Sequence, residues 1–401
     1  MSETRSNSDE YPTELLDLAA TLVRHESENP PGNERNCAEY VADWFDHHDI
    51  DATLLEEPDP NRPQVGARVG DGKPTLVLNG HLDVVPAGDH NEWTHDPYAG
   101  IVEDGRLYGR GSVDMKTGVA IAMLTAYNLR EEITSGELEG SLVVHAAMGE
   151  ETADPGTKSL LEAGFDGEYG VVLEPTELRV ATSEKGMAWY EISWPGVPAH
   201  ASRPDEGHNP IPELRPILAA IEAYDSRLRE RTDPLCGHAY ATVTQVSAGV
   251  GANKAVLPEQ ASLNLDRRIL PEESIESADA EVDELLSNLR DEHGIDVQWE
   301  RHETYASASI PVDHPLAEIF REQSAAVAGA DTDPWGIKAS TDVRDFINSA
   351  GIPAITWGPG SLAQAHTIDE YIDVSAAEAG MNILERTTRT LLGEPILEES
   401  N

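Results

Sequence analysis

Apolar residues recur with a helical period near the start of the chain, at Leu15, Leu16, Ala19, Leu22 and Val23, until Pro30-Pro31-Gly32 stops the run. A second helix is predicted beyond that break, with Cys37, Tyr40, Val41, Trp44 and Phe45 on one face. Near-continuous apolar runs come next at 75–79, 142–147, 170–173 and 353–357, and these read as buried strands. Between the first two lies GVAIAMLTAYNLR, residues 118–130, which reads as a buried helix. Apolar strands that take turns with helices predict a mainly parallel sheet covered on both faces.

The middle of the chain has a different rhythm. Residues 186–194, GMAWYEISW, alternate as a half-buried strand does. A helix carrying Ile217, Leu218 and Ile221 follows the prolines near 210–216, and strands follow at 239–248 and 260–270. An acidic helix with Val282, Leu285, Leu286 and Leu289 on its apolar face ends at Gly294, and 295–300 forms a last strand. That order, β-α-β-β-α-β, is the split-βαβ pattern. The expected fold class is therefore α/β with a compact insertion: 1–184 as the first part of the main domain, 185–300 as the insert and 301–401 as the second part. No internal repeat or low-complexity tract interrupts this plan.

Charge sharpens the picture. The 401 residues carry a net charge of −46 and only six lysines. Such a surface is strongly solvated, and salt would screen its self-repulsion, so a halophilic, cytoplasmic protein is expected. A nucleic acid or anionic membrane is excluded as a partner, because phosphate recognition needs clustered Lys and Arg. The start, MSETRSNSDEYP, is polar and lacks the apolar stretch of a signal peptide, and no apolar run approaches the roughly 18 residues of a membrane span. Cys37 and Cys236 stand far apart, form no metal motif, and read as small buried apolar residues.

Polar residues stand where several apolar runs end. His81 and Asp83 close LVLNGHLDVVP. Side chains alternate along a strand, so the two point the same way. They make either a hydrogen-bonded pair at a loop mouth or a metal-bound imidazole oriented by a carboxylate. Asp114 lies in GRGSVDMKTG just before the apolar helix, as an N-cap or as a metal-bridging carboxylate. Glu150 and Glu151 come after the strand SLVVHAA. Adjacent buried carboxylates repel, which a cation would relieve, and the two can divide metal binding from proton transfer. Glu174 closes VVLEPTE, and His366 sits in QAHTIDE after a Gly-rich loop. His and carboxylate donors without Cys suit Zn²⁺, with Co²⁺ or Mn²⁺ as alternatives, and one bridging carboxylate would serve a two-metal site.

The ordered set GHLDVVP, GRGSVDMKTG, GEET, LEPT, HAS and AHT resembles the M20 family of metallohydrolases over nearly the whole chain. That family includes acetylornithine deacetylase, succinyl-diaminopimelate desuccinylase, aminoacylase-1 and glutamate carboxypeptidase-type enzymes. The resemblance implies a catalytic domain of the zinc-exopeptidase type with an inserted ferredoxin-like dimerisation domain. It implies two metals, most readily Zn with Co possible: His81 and Glu174 on the first, Glu151 and His366 on the second, and Asp114 between them. Glu150 would be the general base acting on a metal-bridged water, and Asp83 would orient His81. His200, in VPAHASRP, would reach the partner subunit's active site and stabilise the oxyanion. Arg268, with Arg267 as its rival, and Arg344 would bind a substrate carboxylate, and Gly358 would line the pocket. Asn253 is a weaker match as a substrate contact, because Ala255 stands where the family has its Asn three residues before Pro258. The implied reaction is hydrolysis of an N-acyl amino acid by a homodimer. The alternatives are a dipeptidase or carboxypeptidase on short peptides, and a non-catalytic binding protein on the same fold.

Overall fold

The structure is a computed structural model, and it describes residues 11–393 apart from 250 and 252. The polar residues 1–10, on which the expectation of no signal peptide rests, lie outside the described residues. The chain forms two compact units. One comprises Met1–Thr182, Ile310–Trp335 and Thr341–Asn401; the other comprises Ser183–Ser309 and Gly336–Ser340.

The first unit begins with helices α1 (Leu15–Arg24) and α2 (Arg35–His47), then strands β1 (Asp51–Leu55), β2 (Gln64–Val69) and β3 (Thr75–His81). Helix α3 (Thr117–Thr134), strand β4 (Ser141–Ala147), helix α4 (Gly156–Glu162) and strand β5 (Tyr169–Val172) come after them. The second unit carries β6 (Gly186–Pro195), α5 (Leu214–Leu228), β7 (Tyr240–Ala248), β8 (Gln260–Ile269), α6 (Ile275–His293) and β9 (Gln298–Tyr305). The chain then returns to the first unit with α7 (Pro315–Ala328), β10 (Ala354–Thr356) and α8 (Val374–Gly393).

In the first unit the strands lie in the order β1-β2-β4-β3-β5-β10. The pairs β4–β3, β3–β5 and β5–β10 are parallel, while β1–β2 and β2–β4 are antiparallel. Every residue of β3, β4 and β5 is buried, which explains their unbroken apolar runs. Helix α3 packs on α1, α8 and the sheet, and its Ile121, Met123 and Leu124 have no exposed surface. Each such side chain contributes roughly 1.5–3 kcal/mol by leaving water. Parallel strands end at the same edge of a sheet, so the loops leaving β3, β4 and β5 converge there. The sequence gives no warning of the antiparallel edge, nor of a small sheet made of Ile101–Glu103, Arg106–Tyr108 and Tyr371–Asp373. Among the described residues, no helix is long and apolar enough to cross a membrane.

In the second unit four antiparallel strands lie in the order β7-β8-β6-β9. Helices α5 and α6 supply Ile217, Ile221, Val282 and Leu286 to a core shared with Tyr190, Ile192, Leu263 and Leu265. Ser274 and Ser277 form a capping box at the start of α6, and Gly294 ends it at a φ of 67°. Strand β9 runs to Tyr305, five residues beyond the end at 300 read from the sequence, and the unit itself runs to Ser309. The reason is that β9 is an edge strand with a single buried residue, Tyr305, so its apolar pattern is faint.

Candidate metal centre

His81 is the last residue of β3 and is 1 % exposed. Its Nε2 lies 3.2 Å from Asp114 Oδ1 and 3.4 Å from Glu174 Oε1. His366 sits in a loop at a φ of 61°, a left-handed conformation costly for a side chain with a Cβ. Its Nε2 lies 3.2 Å from Asp114 Oδ2 and 3.1 Å from Glu151 Oε1. Asp114 therefore offers one oxygen to each imidazole. It occupies an irregular segment, Ser112–Lys116, that leads into α3, and it does not serve as the helix N-cap.

Two groups of side chains bring one ligand atom each to within 4.8 Å of one another: His81 with Asp114 and Glu151, and His81 with Glu150 and Glu174. Burial would lower the His81 pKa, but the facing carboxylates of Asp114 and Glu174 outweigh it and hold the group well above its ordinary value. The Asp114 and Glu151 carboxylates push His366 up to about 10. Burial and then Asp114 push Glu174 up to about 7. Glu150 is raised well above the usual carboxylate range by burial, against His81 and with Glu174, Asp342 and Glu151. Burial raises Glu151 as well. Four carboxylates crowding two imidazoles in a dry place need positive charge, and N/O donors in this number fit a pair of divalent cations. His81, Asp114 and Glu174 would hold one, and Asp114, Glu151 and His366 the other.

The supports of this cluster carry little signal in the sequence. The contact between Asp83 and His81 runs through the backbone: His81 Nδ1 lies 2.9 Å from the Asp83 carbonyl oxygen, while the carboxylate is 3.6 Å away. The Asp83 carboxylate instead accepts the backbone N–H groups of Glu150 (3.2 Å) and Glu151 (3.1 Å). Asn29, from the SENPPGNE turn, donates to Asp83 at 2.9 Å and to Thr152 at 2.6 Å. Thr152 in turn donates to Asp154, which pairs with Arg62 and through it with Glu34. A polar chain, buried at Asn29, Asp83 and Glu34, thus fixes the Glu150–Glu151 loop onto β3. Two features of the sequence could have pointed to it, the Asn in a Pro-Pro turn and the Thr after the Glu pair.

Gly358 is pressed against the strand end that carries Glu174. A Cβ there would come within 2.6 Å of the Glu174 carbonyl oxygen and 2.7 Å of that of Leu173. Arg344 is buried beside Glu150, its Nη1 3.8 Å from Glu150 Oε1, and it also donates to Asp342 at 3.2 Å and to the Thr341 carbonyl at 2.6 Å. Arg110 and Glu370 form a buried pair next to Asp114.

The remaining expected residues belong to the second unit. Arg267 is fully buried, donating to Tyr224 at 3.0 Å and pairing with Glu273 at 2.8 Å, on the side of its helices. Arg268 points to the other face of β8, where Asp266 accepts from its Nε at 2.8 Å and its Nη2 at 3.0 Å. Asp266 also accepts from Trp189 Nε1 at 3.0 Å. His200 is exposed, with Nδ1 2.8 Å from Ser202 Oγ. Asn253 is exposed and caps the backbone N–H of Ala255 at 3.0 Å. Cys37 and Cys236 are both buried and free.

The sequence profile described as peptidase family M20/M25/M40 matches residues 77–390. A protein named probable succinyl-diaminopimelate desuccinylase, from Staphylococcus aureus (strain MSSA476), is 27% identical over 390 residues, covering 90% of this chain and 93% of its own. An M20 family metallo-carboxypeptidase from Sulfolobus solfataricus superposes with a TM-score of 0.77 at 18% identity, covering 94% of this chain and 98% of its own. A dinuclear metal-binding M20 peptidase from Bacillus subtilis superposes with a TM-score of 0.68 at 17% identity, covering 94% and 97%.

Proposed function

This chain belongs to peptidase family M20/M25/M40 and is a hydrolase, and we propose that it removes the acyl group from an N-acyl amino acid with two divalent metals, in the manner of a desuccinylase or deacetylase. The observation that carries the reading is Asp114, whose two oxygens each face a different imidazole among carboxylates that converge from the ends of parallel strands. The Staphylococcus aureus relative, with 93% of its length matched, points to the acyl-amino-acid class. The ligand set His81, Asp114, Glu151, Glu174 and His366 suits Zn²⁺, with Co²⁺ as a substitute.

When bound, the metals would polarise the substrate carbonyl and acidify the attacking water. Glu150 accepts the proton of that water as its oxygen bonds to the carbonyl carbon. Glu150 then returns the proton to the amine nitrogen as the C–N bond breaks, leaving a carboxylic acid and a free amino acid. Asp83 keeps Glu150 and Glu151 in register by holding their backbone N–H groups. Arg344, beside Glu150, binds the substrate carboxylate, a task that suits a planar guanidinium. Gly358 lines the pocket. Residues 185–300 act as the dimerisation domain, and His200 of the partner subunit stabilises the oxyanion.

A hydrolysis screen at high salt with added Zn²⁺ or Co²⁺ tests this. It should compare N-succinyl-diaminopimelate, N-acetylornithine, other N-acetyl amino acids and dipeptides. Turnover of the N-acyl amino acids is expected. Preference for dipeptides would move the protein to the peptidases, and metal binding without any hydrolysis would leave a binding protein.

A further inference from the structure

Arg110 and Glu370 are 3 % and 0 % exposed, and Arg110 Nη1 lies 2.6 Å from Glu370 Oε2. A buried ion pair is a weak device for stability, because desolvating both charges offsets their attraction. Its contacts suggest another use. Glu370 Oε1 accepts the backbone N–H groups of Val113 at 3.0 Å and of Asp114 itself at 3.2 Å. Arg110 Nη1 also donates to the carbonyl of Thr367, next to His366, at 3.3 Å. The backbone N–H of Gly109 donates to the Glu370 carbonyl at 3.0 Å, and Tyr108 pairs with Tyr371. The Arg110 guanidinium lies 5.1 Å from the centre of the Trp93 ring. The pair thus ties together two loops that are distant in sequence, one carrying Asp114 and the other His366.

We infer that Arg110 and Glu370 are positioning residues that set the separation of the Asp114 and His366 loops, and that binding of the second metal depends on them. The inference rests on the two-metal reading above. Glu370 fixes Asp114 through its own N–H, so the carboxylate is aimed before a cation arrives. Arg110 carries that constraint to the His366 loop, whose His side chain is half exposed and has less packing to hold it. His81 ends β3 and Glu174 lies two residues past the end of β5, so they need no such tie.

Chelator-stripped protein titrated calorimetrically with Zn²⁺, together with the visible spectrum of the Co²⁺ form and the thermal midpoint, tests this in Glu370→Ala, Glu370→Gln and Arg110→Lys. Wild type should take up two equivalents. In Glu370→Ala the second equivalent should weaken roughly 10–100-fold, as loss of an outer support of a ligand does, and more than the first, which shares Asp114 but keeps His81 and Glu174. Glu370→Gln, which can still accept the two N–H groups, should recover part of the loss. Two equivalents of unchanged affinity in the variants would overturn the inference alone. Equal weakening of both equivalents, or failure of all three variants to fold, would make the pair a structural element and overturn it too. Fewer than two equivalents in wild type would overturn the two-metal reading and the inference with it.

Discussion

Glu150 and Glu151 are adjacent in sequence yet differ in surroundings. Glu151 Oε1 lies 3.1 Å from His366, while Glu150 lies by Arg344, His81 and Glu174. On the proposed reading, Glu151 is a ligand and Glu150 the proton carrier. Glu150→Ala should lower kcat by about 10²–10⁴-fold and leave metal content unchanged, because it removes the base and no ligand. Glu151→Ala should lose metal. Metal analysis alongside steady-state rates checks both, and metal loss confined to Glu150→Ala would exchange the two roles. At this scale His81, Glu150, Glu151 and Glu174 drew notice as polar side chains at or just past the ends of apolar runs, while Asp114 and His366 stand in loops marked by glycines. Arg110 and Glu370 did not, since they act on backbone N–H and carbonyl groups and leave no periodic or compositional mark, and Asn29 left only its place in a Pro-Pro turn. Likewise the sequence could not divide Arg267 from Arg268; alternation across β8 does, sending Arg267 among the helices.

Strands β3, β4 and β5 were readable because each is buried on both faces and so is apolar throughout. Strands β1 and β9 were missed or cut short because exposed edge positions carry polar residues freely. Within β4, His145 stands as an interior residue of an apolar strand. Its Nε2 lies 2.7 Å from the Phe165 carbonyl oxygen and its Nδ1 lies 3.4 Å from Asn79 Nδ2. Burial holds its pKa down to about 4, against an ordinary 6.5. The unfolded chain therefore binds a proton between those two values that the folded chain does not, and this contribution to stability is full above pH 6.5 and lost as pH falls toward 4. The loss approaches about 1.4 kcal/mol per pH unit. Denaturant titrations across that range should show a shallower pH slope in His145→Gln than in wild type. Equal slopes would mean that His145 does not titrate with folding.

For the whole molecule, the second unit starts at Ser183, close to the change of rhythm near 185, and Gly336–Ser340 joins it from a remote stretch of sequence that the rhythm does not mark. The net charge of −46 bears on conditions. Raising KCl from about 0.1 to about 1 M shortens the screening length from about 10 to about 3 Å, which weakens repulsion between exposed carboxylates. Thermal midpoints should rise over that range, and a flat or falling trend would mean that surface repulsion does not limit stability. The most direct test of the metal centre is an anomalous difference map at the Zn or Co edge from crystals grown with that ion. Two peaks are expected, one bounded by His81, Asp114 and Glu174 and one by Asp114, Glu151 and His366. A map with no peak beside Asp114, or with one ion that touches neither imidazole, would contradict the assignment.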